Sequence, residues 1–464
     1  MHWRTTVGNR VERDTLGEVE VADEVLWGAQ TQRALGNGIG VGQLPEGLWL
    51  ALVRVKRAAA QVNGELGLIP PEVSKAIREA AASIIDGNYS AHFPLSPFMT
   101  GSGTSANMNV NEVLSNMACE ALGSPRGAKD PVHPNDHVNR CQSSNDVFPT
   151  AIHLAAAKAL SRELLPALEE LEKTVEAKAT QFRDIVKLGR THLMDALPVR
   201  LGSEFSAYGK QLRAVTGGVR SCVKALLELP LGGTAVGTGV NSDPKFAPGV
   251  IELLADESGF MLKPADNSFA ALGSRSACVA ASAAVRGVAV ELMKIANDLR
   301  WMASGPRGGL GELTLPAVQP GSSIMPGKVN PVVPEAVLQA SVQTLALDSA
   351  VAMAGSSGVL ELNLMMPLIA YNLLTAIELM TKAATLLGEK CVQGLTANPE
   401  RCREHLETSL ALVTPLAQVV GYEKAAEVAH KAHEEGITLR EAALALGVGT
   451  AQELDELLDP LKMV

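Results

Sequence analysis

Residues 321–331 read Gly321-Ser322-Ser323-Ile324-Met325-Pro326-Gly327-Lys328-Val329-Asn330-Pro331, a glycine- and serine-rich loop that runs into a helix start. Glycine and proline this dense cannot hold regular structure. Asn330 is a favourable N-cap and Pro331 suits the first helical position, so a helix is expected through Glu335, Val337 and Leu338. A helix N-terminus offers unbonded N–H groups and partial positive charge, and Lys328 adds a full charge beside it. Ser322 and Ser323 therefore stand on a loop next to an anion cradle, which points to chemistry on a small acid. The bland reading of such a stretch is an ordinary surface loop.

The surrounding chain has 464 residues, 47% of them hydrophobic but only 3% aromatic. That is ample for a large core, and a core of Ala, Leu and Val favours close-packed helices over sheets. A net charge of −10 argues against non-specific nucleic-acid binding, so an anionic substrate must be drawn by local positive charge. The six cysteines, at 119, 141, 222, 278, 391 and 402, are scattered without metal-ligand or disulfide spacing. Residues 1–20 lack an apolar stretch of the secretory kind. The apolar run from Leu362 to Ile377 is broken by Asn363, Pro367 and Asn372, too short and too polar to span a membrane. A soluble, cytoplasmic protein is expected.

Helical periodicity predicts long helices over about 151–179, 274–302 and 331–353, with another over 367–387. The second and third are apolar nearly all round, and such helices must be buried on every side. One subunit rarely surrounds several of them, so helices of neighbouring subunits are expected to pack together. Composition changes near 142 and 397 divide the chain into a mixed segment 1–142, a long-helix segment 143–397 and a small helical segment 398–464.

The loop at 321–331 resembles the hallmark GSSxMPxKxNP signature of the fumarase/aspartase superfamily of lyases. The resemblance runs from Leu26-Trp27-Gly28-Ala29-Gln30-Thr31-Gln32-Arg33 to Gly421-Tyr422-Glu423-Lys424-Ala425-Ala426, nearly the whole chain. It implies a mainly α, three-domain fold whose central helix bundle forms a twenty-helix core in a homotetramer, with each active site drawn from three subunits. It also implies the hydration of fumarate to malate without a metal or other cofactor. Gly327, Thr100 and Ser102 favour fumarases over the rival aspartases. Val332-Val333-Pro334-Glu335 looks as much like aspartases, so aspartate ammonia-lyase is the alternative activity.

Other motifs fall into place beside this resemblance. Thr100-Gly101-Ser102-Gly103-Thr104 pairs glycines that admit close backbone approach with hydroxyls that bind carboxylates. Read alone it is a polar helix cap; the family match makes Thr100, Ser102, Gly103 and Thr104 substrate contacts. Gln142-Ser143-Ser144-Asn145-Asp146 reads as a cap, with Asp146 a candidate capping residue. The resemblance makes Ser143, Ser144 and Asn145 substrate contacts. It also makes His133-Pro134-Asn135-Asp136 a peripheral anion site. There Asp130 stands where some relatives carry Arg, and Lys129 could substitute.

A lone histidine is more often structural than catalytic, but His192, in Gly189-Arg190-Thr191-His192, matches the family histidine that orders the attacking water. By the same resemblance Glu335 backs His192, Ser322 is the catalytic base as an alkoxide, and Thr191, Ser323, Lys328 and Asn330 hold the substrate. The glycines of 232–239 read as tight packing. They lack the Lys-Ser/Thr of a nucleotide loop. A catalytically silent homologue would have no physical need for Ser322, Lys328, Asn330, His192 and Glu335 together.

Overall fold

Small aliphatic side chains favour helices, and the computed structural model, which describes residues 8–464, is dominated by them. Among the described residues are seventeen α-helices and five two-stranded sheets. The chain divides into two units. One holds the described residues up to Leu165 with Gly217–Gly287 and Val342–Met380; the other holds Pro166–Thr216, Val288–Ser341 and Thr381–Val464.

The first unit opens with an antiparallel hairpin, Asn9–Asp14 and Gly17–Ala22, in which Asn9 pairs with Ala22. Helix Ala29–Asn37 follows, preceded by Gly28, which has no side chain to cap it. The cap comes from helix Thr104–Ala121 instead. Its Glu112 accepts the N–H groups of Gly28, Gln30 and Thr31 and the Thr31 hydroxyl at 2.6 to 3.1 Å. A carboxylate there satisfies orphan donors and meets the positive end of the helix dipole. This accounts for the Trp27-Gly28-Ala29-Gln30-Thr31 motif in structural terms. Helices Glu46–Glu65 and Pro71–Asp86 pack on one another, and Trp49 stacks on Phe93 at 4.3 Å.

The second unit contains the hairpin Val186–Thr191 and Met194–Arg200, against whose first strand helix Pro399–Thr408 packs. Its C-terminal helices enclose a small apolar cluster built on Leu416, Val428, Ala442 and Leu454. Helices Leu439–Ala445 and Ala451–Leu457 each start with a capping box, Thr438 with Glu441 and Thr450 with Glu453.

Most long helices lie where periodicity put them. The expected helix at 151–179 is part of a longer stretch, Ser144–Ala159 and Leu165–Gln181, joined through a widened turn at Leu160–Leu164. Those expected at 274–302, 331–353 and 367–387 are Ser276–Met302, Val332–Gly355 and Met366–Leu387. Helix Leu201–Leu226 is an addition; Glu204, Lys210, Arg213, Arg220 and Lys224 dilute its apolar pattern. Among the described residues, Ser276–Met302 and Val332–Gly355 are long and apolar enough to cross a membrane by length and composition. The run 362–377, weighed for that role from sequence, is not one of them. Only 39% and 33% of the apolar windows of those two helices are buried within the chain. Val290, Val342 and Met353 are exposed on them.

Candidate active site

In the first unit the structure brings together three segments that are far apart in sequence. Gly103 adopts φ 73° ahead of helix Thr104–Ala121, and a Cβ there would fall 2.4 Å from the Phe148 ring. Gly101 is equally constrained, since a Cβ would meet the Leu364 carbonyl oxygen at 1.6 Å. The glycines thus let Ser102 and Thr104 approach helix Ser144–Ala159. Ser102 Oγ lies 2.8 Å from Thr104 Oγ1, which lies 2.7 Å from Ser144 Oγ, a continuous chain of hydroxyls. Thr100 is exposed and lines an open cleft of about 380 Å³ with Gln30, Arg33 and Ser105.

Ser143 and Asp146 cap helix Ser144–Ala159 together as a capping box: Ser143 Oγ accepts the Asn145 N–H at 3.2 Å. Asp146 accepts the Ser143 N–H in return, at 3.0 Å. Its second oxygen accepts the Gly232 and Thr234 N–H groups at 3.0 and 2.9 Å, while Asn145 Nδ2 donates to the Ala235 carbonyl at 2.8 Å. The glycine-rich segment is therefore pinned by its backbone to the Ser-Ser-Asn turn. Burial pushes the Asp146 carboxyl up, against these three N–H donors and the nearby Lys56 charge.

Lys56 escaped the sequence reading. It is fully buried, and its ammonium donates to Asn139 Oδ1 and Gln142 Oε1, both at 2.9 Å. Asn139 Oδ1 also accepts from Asn107 and Asn111, each at 3.1 Å. This hub fixes the turn immediately before Ser143, and burial pushes the Lys56 ammonium down to about 7. A signal existed: position 56 falls on the stripe of Trp49, Leu52, Val53, Ala60 and Asn63, where a lone lysine is out of place.

The peripheral segment forms a tight turn. His133 Nδ1 accepts the Asn135 and Asp136 N–H groups at 3.2 and 3.3 Å, and Pro134 is buried beneath it. Partial burial lowers the His133 imidazole, with Asp136 opposing and Lys129 and His137 reinforcing. Lys129 donates to the Arg13 carbonyl.

In the second unit, Thr191 pairs with Met194 across a two-residue turn in which His192 and Leu193 have φ 57° and 61°. Both central residues with φ > 0 mark a type I′ hairpin turn, whose twist matches the strands. His192 is thus presented, exposed, at a hairpin tip. The root is anchored on buried Glu312, which takes Arg190 Nη1 at 2.7 Å, His405 Nδ1 at 3.0 Å and Lys187 Nζ at 3.3 Å. Burial raises the Glu312 carboxyl, but Lys187, Arg190 and His405 together hold it below the ordinary value.

The signature loop closes on itself. Gly321 N–H donates to the Lys328 carbonyl at 2.9 Å, and Asn330 Nδ2 donates to the Gly321 carbonyl at 2.5 Å. Asn330 is therefore not the side-chain cap expected of it; helix Val332–Gly355 begins after Pro331, whose carbonyl accepts the Glu335 N–H. A Cβ on Gly321 would sit 2.5 Å from the Lys328 oxygen, so the closure demands glycine. Inside the loop, Ser322 Oγ accepts the N–H groups of Ile324 and Met325 at 3.2 and 3.0 Å. Ser323 and Lys328 are exposed. Among the described residues, neither the His192 imidazole nor the Glu335 carboxylate has a hydrogen-bond partner within one chain, and Glu335 is exposed.

Comparison with known proteins matches this geometry to a family. The lyase family matches residues 17–345, and the family described as the fumarase C C-terminus matches residues 412–464. The fumarate hydratase class II of Nitrosomonas europaea is 50% identical over 455 residues, 98% of each chain. That of Thermus thermophilus is 48% identical over 457 residues, again 98% of each. The crystal structure of a class II fumarase from Schistosoma mansoni superposes with a TM-score of 0.93 at 39% identity, covering 98% of this chain and 99% of that one. A fumarate lyase:delta crystallin structure from Brucella melitensis gives 0.92 at 45% identity, with the same coverage. With this fold, this loop and this breadth of match, the chain belongs to the class II fumarate hydratase family of lyases.

Proposed function

We propose that the chain catalyses the reversible, stereospecific hydration of fumarate to (S)-malate, with Ser322 as the base that removes the C3 proton of malate. The observation that carries this assignment is the pair of N–H groups, from Ile324 and Met325, on Ser322 Oγ. A serine hydroxyl is a weak acid, and two fixed donors with Lys328 nearby in sequence stabilise its ionised form as an oxyanion hole stabilises an intermediate. Removing the proton from malate leaves a dianionic aci-carboxylate, and Lys328 and Asn330 take up that charge. Thr100, Ser102, Thr104, Ser143, Ser144, Asn145, Thr191 and Ser323 complete the cage, with Gly103 giving the backbone room. Fixing a flexible diacid in an antiperiplanar geometry lowers the barrier further. His192, supported by Glu335, hands a proton to the departing hydroxyl and activates water in the reverse direction.

The functional enzyme in this reading is a cytoplasmic homotetramer with composite sites, its three chain segments 1–142, 143–397 and 398–464 serving as domains. Two observations support it: the exposed apolar faces of Ser276–Met302 and Val332–Gly355, and the unpartnered His192 and Glu335 side chains of a single chain. His133, Pro134, Asn135 and Asp136, with Lys129 beside them, are assigned to a peripheral anion site. The test is the ultraviolet absorbance of fumarate with purified enzyme, with and without ammonium. Loss of fumarate and formation of malate without ammonium is expected, and Ser322→Ala should lower kcat by about 10²- to 10⁴-fold with little change in KM. Turnover only with ammonium would replace this reading by an aspartate ammonia-lyase.

A further inference from the structure

The most anomalous buried group lies in the first unit, away from the signature loop. Arg275 is 1% exposed, yet none of its three guanidinium nitrogens has a hydrogen-bond partner among the described residues. It makes no ion pair there either. The groups whose charge it senses or perturbs are Cys278 and His153. Neither is an anion at neutral pH: burial pushes the Cys278 thiol up to about 11 despite Arg275, and holds the His153 imidazole down to about 4. His153 is itself committed through Nδ1 to the Glu228 carbonyl at 2.8 Å.

Three physical facts make this arrangement untenable as it stands. A guanidinium cannot shed its proton in a protein. A buried, uncompensated charge is among the costliest features a fold can carry. Arg275 also directly precedes the 27-residue helix Ser276–Met302, whose first turn adds partial positive charge to the same place. Water could satisfy the N–H groups but would leave the charge uncompensated. Leu272 and Cys278, close to Arg275 in sequence, are likewise buried.

We propose that Arg275, buried just ahead of helix Ser276–Met302, holds a small monovalent inorganic anion of the size and charge of chloride. With Arg275 only 1% exposed, a monatomic ion is favoured over a dicarboxylate. The site is distinct in sequence from every residue assigned to substrate, and its role is structural.

Crystals of the full chain grown with bromide in place of chloride test this directly. An anomalous peak in contact with the Arg275 guanidinium is expected. In solution, the Tm of wild type should rise on the order of 2 °C and saturate as chloride replaces gluconate at constant ionic strength. Arg275→Met should lose that dependence. No bromide peak at Arg275 would overturn the proposal, with water alone or a Cys278 thiolate then compensating the charge. An equal chloride response in Arg275→Met would overturn it as well. Should that variant fail to fold, the wild-type bromide map still decides.

Discussion

Ser322 shows how much a single residue owes to its neighbours. Its oxygen is held by two backbone N–H groups, and that contact depends on a loop closed by Gly321, which no other residue can replace without moving the Lys328 carbonyl. Lys56 makes the complementary point about charge. Its ammonium stays protonated to about pH 10.4 in an unfolded chain but only to about 7 in the fold. Between those values the unfolded state binds more protons, so this group makes stability rise with pH. The stability difference between wild type and Lys56→Met should therefore grow by up to about 1.4 kcal/mol per pH unit above neutrality, measured by denaturant unfolding across pH 7 to 10. A difference independent of pH would show that Lys56 is solvated or paired after all. The sequence singled out candidate site residues through the signature and its companion motifs. Their partners were not legible: nothing in the letters says that Asn330 turns back to Gly321, or that a lysine on an apolar stripe supports Ser143 from behind.

Among the secondary-structure elements, the hairpin Val186–Arg200 matters most for chemistry. Its tip carries Thr191 and His192, and its root depends on a buried carboxylate, Glu312, shared by Lys187, Arg190 and His405. Glu312→Ala would leave Arg190 without its carboxylate and Lys187 with Glu204 alone, at a cost of about 3–5 kcal/mol. We expect Tm to fall and the KM for malate to rise together in that variant. An unchanged Tm would mean that the network is bridged by solvent. The long apolar helices were legible from their long, nearly uncharged apolar runs. Leu201–Leu226 was missed although its apolar and charged residues fall on separate faces, because the reading followed continuous apolar runs and this helix has none. The hairpin also escaped, because its turn uses His192 and Leu193 where Asn-Gly would have announced it.

For the molecule as a whole, the uncovered faces of Ser276–Met302 and Val332–Gly355 set the terms. A helix apolar on all sides but only partly buried in its own chain is the basis for proposing other copies around it. If sites are built from several copies, two inactive variants lesioned in different segments can restore one another. Mixing Ser322→Ala with Ser143→Ala after partial denaturation and refolding should regenerate a fraction of wild-type turnover in the fumarate assay. No recovery, with light scattering showing mixed tetramers, would place each site within one copy. Composition led to the expectation of assembly but not to an arrangement of copies, because surface complementarity leaves no periodic trace in one chain.

The signature loop has a thermal consequence as well. It displays Ile324, 83% exposed, with Met325 and Val329 about half exposed at 49% and 47%, close in sequence to Ser322, the proposed base. Apolar surface held in water raises heat capacity, and withdrawing it lowers heat capacity. Closure of this loop over a bound diacid should therefore give ligand binding a negative heat-capacity change, read as a falling enthalpy in titrations at several temperatures. Ile324→Ser should shrink that slope, because the seal against water is then made partly of a group that never needed to leave it.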